Sequence, residues 1–408
     1  MSSLINVLFV DDQKTLLNAV KRVVKRKAEN WNVYFADSAE AAIETLQENM
    51  INVVVTDMRM PGKDGVQLLE WVRENKPNTI RFILSGYSNF ERNLESVKVA
   101  HQYFIKPFAT QEIIVALELT HSLYKRIRNP GLQGIIASID RLPTPRRVFY
   151  QINEALQDPE VSIEKIASLV ASDTAIAGKI LQVTNSAFFG QKKNTADILQ
   201  SVSVLGIERI KSLVLIAGIA SDHKEILNGL ISINLYSKHC LEVAHFSSMI
   251  GKQLGYSVDE QNTLFTAGLL HDVGKLVMIK KYIELYTTNE WEEDPYSTKI
   301  HVDQIEQLYS DHAAIGASLI ALWGLPVSTV NAVAYYQEPQ ECEDSRNFAA
   351  ILHIADAMSR FLQSGQDPEM FGSAFCNMAA LKKMDIDYQA PDHMELFEQL
   401  RDSISPMN

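Results

Sequence analysis

The sequence predicts a two-part fold, an α/β amino-terminal part followed by an all-α remainder. Three observations carry this reading. Within residues 1–122, short apolar runs alternate with stretches of helical period. Four of those runs end in polar residues of distinct chemistry: Asp11-Asp12, Asp57, Ser85 and Lys106. From about residue 132 onward, strand-like runs give way to amphipathic helical patterns separated by capping and turn residues.

The strand candidates are Leu4–Val10, Val33–Ala36, Val53–Thr56, Phe82–Leu84 and Tyr103–Ile105. They are short, continuously apolar and rich in Val, Ile and Phe, as parallel strands covered on both faces are. Between them, Leu16, Leu17, Val20, Val23 and Val24 form one apolar helical stripe. Ser38 is placed to cap a second helix through Ala41, Ala42, Ile43 and Leu46. Val66, Leu68, Leu69 and Val72 mark a third, and Ile113, Ile114 and Leu117 the last. Alternating units of this kind build a doubly wound, five-stranded parallel sheet, flavodoxin-like, whose chemistry sits at the carboxyl ends of its strands. The last helix runs into Tyr124-Lys125-Arg126-Ile127-Arg128, and Asn129-Pro130-Gly131 then stops it. The boundaries read from the sequence are 1–122, a helical extension and hinge over 123–131, a helical domain over 132–340, and a helical extension over 341–408.

Composition excludes several classes. The net charge of −12 offers no basic excess for nucleic acid or an anionic membrane. The three cysteines, Cys240, Cys342 and Cys376, lack metal-type spacing and suit a reducing compartment. The opening Met-Ser-Ser-Leu-Ile-Asn lacks the charged and apolar regions of a secretory signal. No apolar stretch approaches the ~20 residues that cross a bilayer. A cytoplasmic protein is expected.

At the predicted sheet edge, a carboxylate such as Asp57 can attack phosphorus and form an acyl phosphate. Phosphoryl transfer then needs charge neutralisation more than covalent help. Asp11 and Asp12 supply hard oxygen ligands for Mg²⁺. Lys106 supplies a fixed positive charge, and Ser85 a hydroxyl for a phosphoryl oxygen. Over residues 1–122 this pattern resembles the receiver domain of two-component response regulators. The resemblance implies that Asp57 is the phospho-acceptor. It implies that Asp12 and Asp57 bind Mg²⁺, with Arg59 giving its backbone carbonyl and Asp11 helping through water. Tyr103, three residues before Lys106, matches the aromatic that swings inward when Ser85 engages the phosphoryl group. A sensor histidine kinase is the implied phosphodonor, and pairing of two copies through the switched face is a family-level expectation. Arg59 and Tyr87, two positions past Asp57 and Ser85, are expected to hinder attacking water.

In the helical part, Asn185-Ser186-Ala187-Phe188-Phe189-Gly190 reads as a helix end with an aromatic plug, and His271-Asp272 as a pair able to face one metal. Further ligands would come from His239 and Asp356, with His312 a fifth candidate. Such nitrogen and oxygen donors suit Mn, Fe, Zn or Mg. The residues alone leave open a hydrogen-bonded polar cluster that holds no metal. Over roughly 132–340 the chain resembles the HD superfamily of metal phosphohydrolases, and more closely its HDOD branch. The resemblance rests on Leu142-Pro143, Asp173, Asn185–Gly190, Leu205-Gly206, His271-Asp272 and Trp323-Gly324-Leu325-Pro326. The HD pattern of His, His-Asp and Asp is matched by His239, His271, Asp272 and Asp356. HDOD domains are mostly regarded as protein-interaction modules, so the expected protein is a phosphorylation-controlled regulator with a noncatalytic output. The alternative is a receiver-gated, metal-dependent phosphohydrolase acting on a nucleotide or phosphate ester. Against it, Tyr336-Gln337 stand where HD-GYP enzymes place a His pair, and the Gly-Tyr-Pro signature is absent.

Overall fold

The computed structural model describes residues 5–27, 31–86, 99–106, 110–127, 147–156, 158, 160–185, 195, 197–222, 233–278, 311–343 and 347–364. The chain folds as two compact units, the first lying mainly within residues 1–142.

The first unit holds β1 (Ile5–Val10), β2 (Trp31–Ala36), β3 (Val53–Asp57), β4 (Ile80–Gly86) and β5 (Gln102–Lys106) in one parallel sheet of order β2-β1-β3-β4-β5. The connecting helices are α1 (Lys14–Lys27), α2 (Ala39–Glu48) and α3 (Gly65–Asn75), and α4 (Thr110–Arg126) follows β5. The segment between Gly86 and Val99 lies outside the described residues. Every residue of β3 is buried, which is why its sequence shows no alternation. Ser38 caps α2 as expected, accepting from the Ala41 amide. Asp64 and Gln67 form a reciprocal capping box at the start of α3.

The register places the polar residues side by side. β1 and β3 are adjacent, so Asp11 follows a strand that neighbours the one ending in Asp57. Asp57 pairs with Leu84, one residue before Ser85, and Gly86 pairs with Lys106. All therefore converge on one carboxyl edge. The strand β4 also hides a charge within its apolar run. Arg81 is fully buried, with Nε donating to the Val99 carbonyl at 2.7 Å and Nη1 to the Thr79 carbonyl at 3.2 Å. Burial, with Arg73 nearby, pushes its guanidinium down to about 10. It ties the base of β4 to the segment entering β5.

Among the described residues from Arg147 on, the secondary structure is helical. The helices are α5 (Arg147–Ala155), α6 (Ile163–Ala171), α7 (Thr174–Thr184), α8 (Ile198–Leu205), α9 (Ile207–Asp222), α10 (Ile233–Gln253), α11 (Val258–Leu270), α12 (His312–Leu322), α13 (Val327–Tyr335) and α14 (Phe348–Ser364). The long α10 is the spine, packed along both α11 and α14, while α13 packs on α11 and α14. A Cβ on Gly268 of α11 would lie 2.6 Å from the Ala244 Cα, so α10 and α11 cross backbone to backbone. A Cβ on Gly274 would lie 2.0 Å from the His312 carbonyl oxygen. These two glycines set the spacing of the three segments that carry His239, His271-Asp272 and His312. No helix among the described residues is long and apolar enough to cross a membrane.

Candidate functional site

Among the described residues, the sheet edge holds an anionic cluster with one fixed cation. Asp11 and Asp57 are buried and Asp12 is exposed, and one carboxylate oxygen from each lies within 4.8 Å of the others. Lys106 Nζ lies 2.8 Å from Asp57 Oδ1 and 3.6 Å from Asp11 Oδ2. Asp11 Oδ1 accepts from the Gln13 amide at 2.8 Å, while Asp11 Oδ2 is buried with no hydrogen bond among the described residues. Burial pushes the Asp11 carboxyl up, against the Gln13 amide and the Lys106 ammonium. Three carboxylates facing one ammonium leave a negative deficit that oxygen-loving Mg²⁺ fits. Ser85 is fully buried, with Oγ 3.5 Å from Met58 Sδ. Tyr103 is half-buried against the apolar cluster that contains Ile83, Met58 and Val99. Arg59 is exposed on the loop after Asp57, whereas Tyr87 lies outside the described residues. That loop is pressed onto the strand: a Cβ on Gly65 would lie 2.0 Å from the Asp57 carbonyl oxygen.

The helical unit brings His239, His271, Asp272 and Asp356 together. His239 comes from α10, His271 caps α11, Asp272 follows it, and Asp356 sits on α14. His239 Nε2 lies 3.3 Å from Asp356 Oδ1 and 3.7 Å from Asp272 Oδ2. His271 Nε2 lies 3.4 Å from Asp272 Oδ1 and 3.7 Å from Asp356 Oδ1. His271 Nδ1 donates to the Gly268 carbonyl at 2.7 Å, so in the neutral ring Nε2 is the bare nitrogen, and it faces the centre. That Nε2 is buried with no hydrogen bond among the described residues. An orphaned imidazole nitrogen facing two carboxylates is a donor set that a divalent cation fits.

Charges already within the unit partly satisfy the carboxylates. Lys275 Nζ lies 2.6 Å from Asp272 Oδ2, and Arg360 Nη2 lies 2.7 Å from Asp356 Oδ2. Burial pushes both carboxyls up, but the surrounding imidazoles in their charged form and these two cations outweigh it and hold both well below the usual range. His312, the fifth candidate, stands 3.4 Å from Asp272 Oδ1 through Nε2. The same Nε2 is 2.6 Å from the Tyr336 phenol, which donates to Asp272 Oδ1 at 3.2 Å. Burial first, and the two carboxylates second, push the phenol well above its ordinary range, so Tyr336 stays a neutral donor. The phenol therefore caps the side of Asp272 that faces His312. His353 holds Tyr336 from behind, its Nδ1 2.9 Å from the Tyr336 carbonyl oxygen.

Comparisons with known proteins agree with both halves. The response regulator receiver domain model matches residues 7–118, and the HDOD domain model matches residues 142–339. The chain is a receiver–HDOD protein. An uncharacterized protein of Treponema pallidum (strain Nichols) is 25% identical over 245 residues, 58% of this chain and 45% of that one. The hydrogenase transcriptional regulatory protein HoxA of Cupriavidus necator is 32% identical over 144 residues, 34% of this chain and 28% of that one. The chain thus spans less than half the length of either relative. Among solved structures, an HDOD domain protein of unknown function from Geobacter sulfurreducens aligns with a TM-score of 0.48 and 18% identity, over 72% of this chain and 96% of that chain.

In this receiver–HDOD protein several motif residues turn out to be architectural. Asn185 clamps the backbone of Thr195, accepting from its amide and donating to its carbonyl, each at 2.8 Å. Asp173 Oδ1 accepts from the Ile176 amide at the start of α7. Gly324, at φ +76°, ends α12 with its amide on the Ala321 carbonyl, and Pro326 opens α13. Residues 186–190 and the Leu142-Pro143 pair lie outside the described residues. Four partners of the centre were not singled out from sequence: Lys275, Arg360, Ser359 and Glu242. Each stands three or four residues after a named ligand candidate on the same helical stretch, and that spacing was the available signal.

Proposed function

We propose that this receiver–HDOD protein is a phosphorylation-controlled response regulator whose HDOD domain is a noncatalytic, protein-binding output. Asp57 takes the phosphoryl group from a partner histidine kinase. A carboxylate oxygen of Asp57 attacks phosphorus, the P–N bond of the phosphohistidine breaks, and the imidazole leaves with the electron pair. Lys106 then neutralises the new charge, Ser85 donates its hydroxyl to a phosphoryl oxygen, and Tyr103 follows Ser85 inward. Asp11, Asp12 and Asp57, with the Arg59 backbone carbonyl, would hold Mg²⁺, which when bound screens the incoming phosphate from these carboxylates. The observation that carries the reading is the Lys106 ammonium set between Asp57 and Asp11 at the sheet's carboxyl edge. Incubating the full chain with acetyl phosphate and Mg²⁺ tests it by intact mass. One phosphoryl group per chain is expected on wild type and none on Asp57→Ala, whereas equal labelling of both overturns the assignment.

For the HDOD domain we propose one divalent cation (Mn, Fe, Zn or Mg) held by His239, His271, Asp272 and Asp356. The buried His271 Nε2, without a hydrogen bond among the described residues, is the observation in its favour. The same donors give the second reading, phosphoester hydrolysis, its footing, since a bound cation polarises a phosphoryl oxygen and acidifies water. Turnover of a phosphate ester that Asp272→Ala abolishes would favour hydrolysis over a binding output.

A further inference from the structure

We propose that Glu242 and Ser359 form a positioning relay that fixes the tautomer of His239, so that its Nε2 lone pair faces the His–Asp centre. The inference rests on the cation reading of that centre. It explains why a carboxylate and a hydroxyl are buried together between two helices beside a candidate ligand.

Glu242 lies one turn beyond His239 on α10, and Ser359 one turn beyond Asp356 on α14. The relay therefore joins the two helices that supply His239 and Asp356. Both residues are buried, Glu242 at 2% and Ser359 at 0% exposure. Ser359 Oγ gives its hydrogen to Glu242 Oε2 at 2.7 Å, and Lys238 Nζ stands 3.9 Å from Glu242 Oε1. A hydroxyl has one hydrogen, so with that hydrogen directed at the carboxylate its oxygen acts as an acceptor. His239 Nδ1 lies 3.0 Å from that oxygen and must carry the proton of the pair. In the neutral ring the other nitrogen, Nε2, is then bare and faces Asp356 and Asp272.

The two histidines of the centre thus reach one electronic state by different means. His271, at a helix end, finds a backbone carbonyl at Gly268. His239 is inside α10, where the carbonyls belong to the helix ladder, and takes its acceptor from the neighbouring helix. Losing that acceptor frees the other tautomer. A proton on Nε2 would then bond Asp356 Oδ1, 3.3 Å away, and close the centre to a cation.

The test uses the full chain, stripped of metal and labelled with ¹⁵N-histidine, followed by Mn²⁺ titration of wild type, Ser359→Ala and Ser359→Thr. Long-range ¹H–¹⁵N correlations should place the His239 proton on Nδ1 in wild type and shift it toward Nε2 in Ser359→Ala. Mn²⁺ affinity should fall about 10- to 100-fold in Ser359→Ala and hold in Ser359→Thr, the scale at which partners of metal ligands act. A wild-type His239 already protonated on Nε2 overturns the relay without any variant having to fold. So does a Ser359→Ala protein that loads Mn²⁺ as tightly as wild type. If wild type takes up no Mn²⁺, the cation centre itself falls and the relay loses its purpose, an outcome distinct from equal loading of both proteins.

Discussion

The two sites contain the same kind of group, buried carboxylates beside cations, in opposite states of balance. At the receiver edge, Asp11, Asp12 and Asp57 face Lys106 and remain net negative. In the HDOD centre, Lys275 and Arg360 each hold one oxygen of Asp272 and Asp356 and offset most of their charge. A site left out of balance responds to each charge added, first a cation and then a phosphoryl group, which is what a switch requires. A site largely offset by its own side chains changes less when a ligand arrives. On the proposed function, this contrast predicts that the receiver changes state while the HDOD centre holds its shape.

The largest effect expected follows from that contrast. Asp57→Ala should abolish phosphorylation outright, while Asp272→Ala should leave receiver phosphorylation at the wild-type level by intact mass. Loss of Asp57 labelling in Asp272→Ala would break the separation of roles. Next in size is Gly268→Val, which pushes a side chain into the Ala244 backbone. Overpacking at a backbone contact with no room to give should cost about 3 kcal/mol, read as a lowered urea midpoint for the helical unit. Receiver labelling by acetyl phosphate is expected to persist in that variant under native conditions.

The receiver edge was legible because a parallel sheet writes its site into strand ends. Asp11, Asp57, Ser85 and Lys106 each close an apolar run, so strand register alone brings them together. Arg81 escaped notice because a charged residue inside a strand reads as a solvent-facing position, and its burial depends on the Val99 and Thr79 carbonyls. In the helical part, His271-Asp272 announced itself as an adjacent pair. Asp356 and His239 were candidates by residue type alone, and the resemblance tied them to the pair, since contacts between helices far apart in sequence leave no period to read. Ser359 and Glu242 look like ordinary helix residues, and only the crossing of α10 and α14 gives them a shared purpose.

Acid should separate the units through His245. Burial first, and Arg209 second, push its imidazole down to about 4. The unfolded chain binds a proton near the ordinary value of 6.5, so between these values it takes up more protons than the folded one. Stability is full above that window and falls as pH drops through it, by up to about 3 kcal/mol. Urea unfolding of the helical unit across the window should show this slope, and His245→Gln should flatten it. An equal slope in His245→Gln would assign the acid sensitivity elsewhere.

The smallest effect sharpens the comparison most. Tyr336→Phe removes a phenol that donates to Asp272 Oδ1 and meets His312 Nε2. His312 Nε2 lies 3.4 Å from the same Asp272 oxygen, far enough to make up only part of the loss. The stability cost should be near the lower end for a buried hydrogen bond, about 1 kcal/mol. Removing a competing donor from Asp272 should also raise Mn²⁺ affinity severalfold, opposite in sign to Ser359→Ala. A weaker Mn²⁺ complex in Tyr336→Phe would make the phenol a supporter of the cation rather than its competitor. The balance drawn above would then be incomplete, because the centre would be using a neutral side chain, as well as charged ones, to hold what it binds.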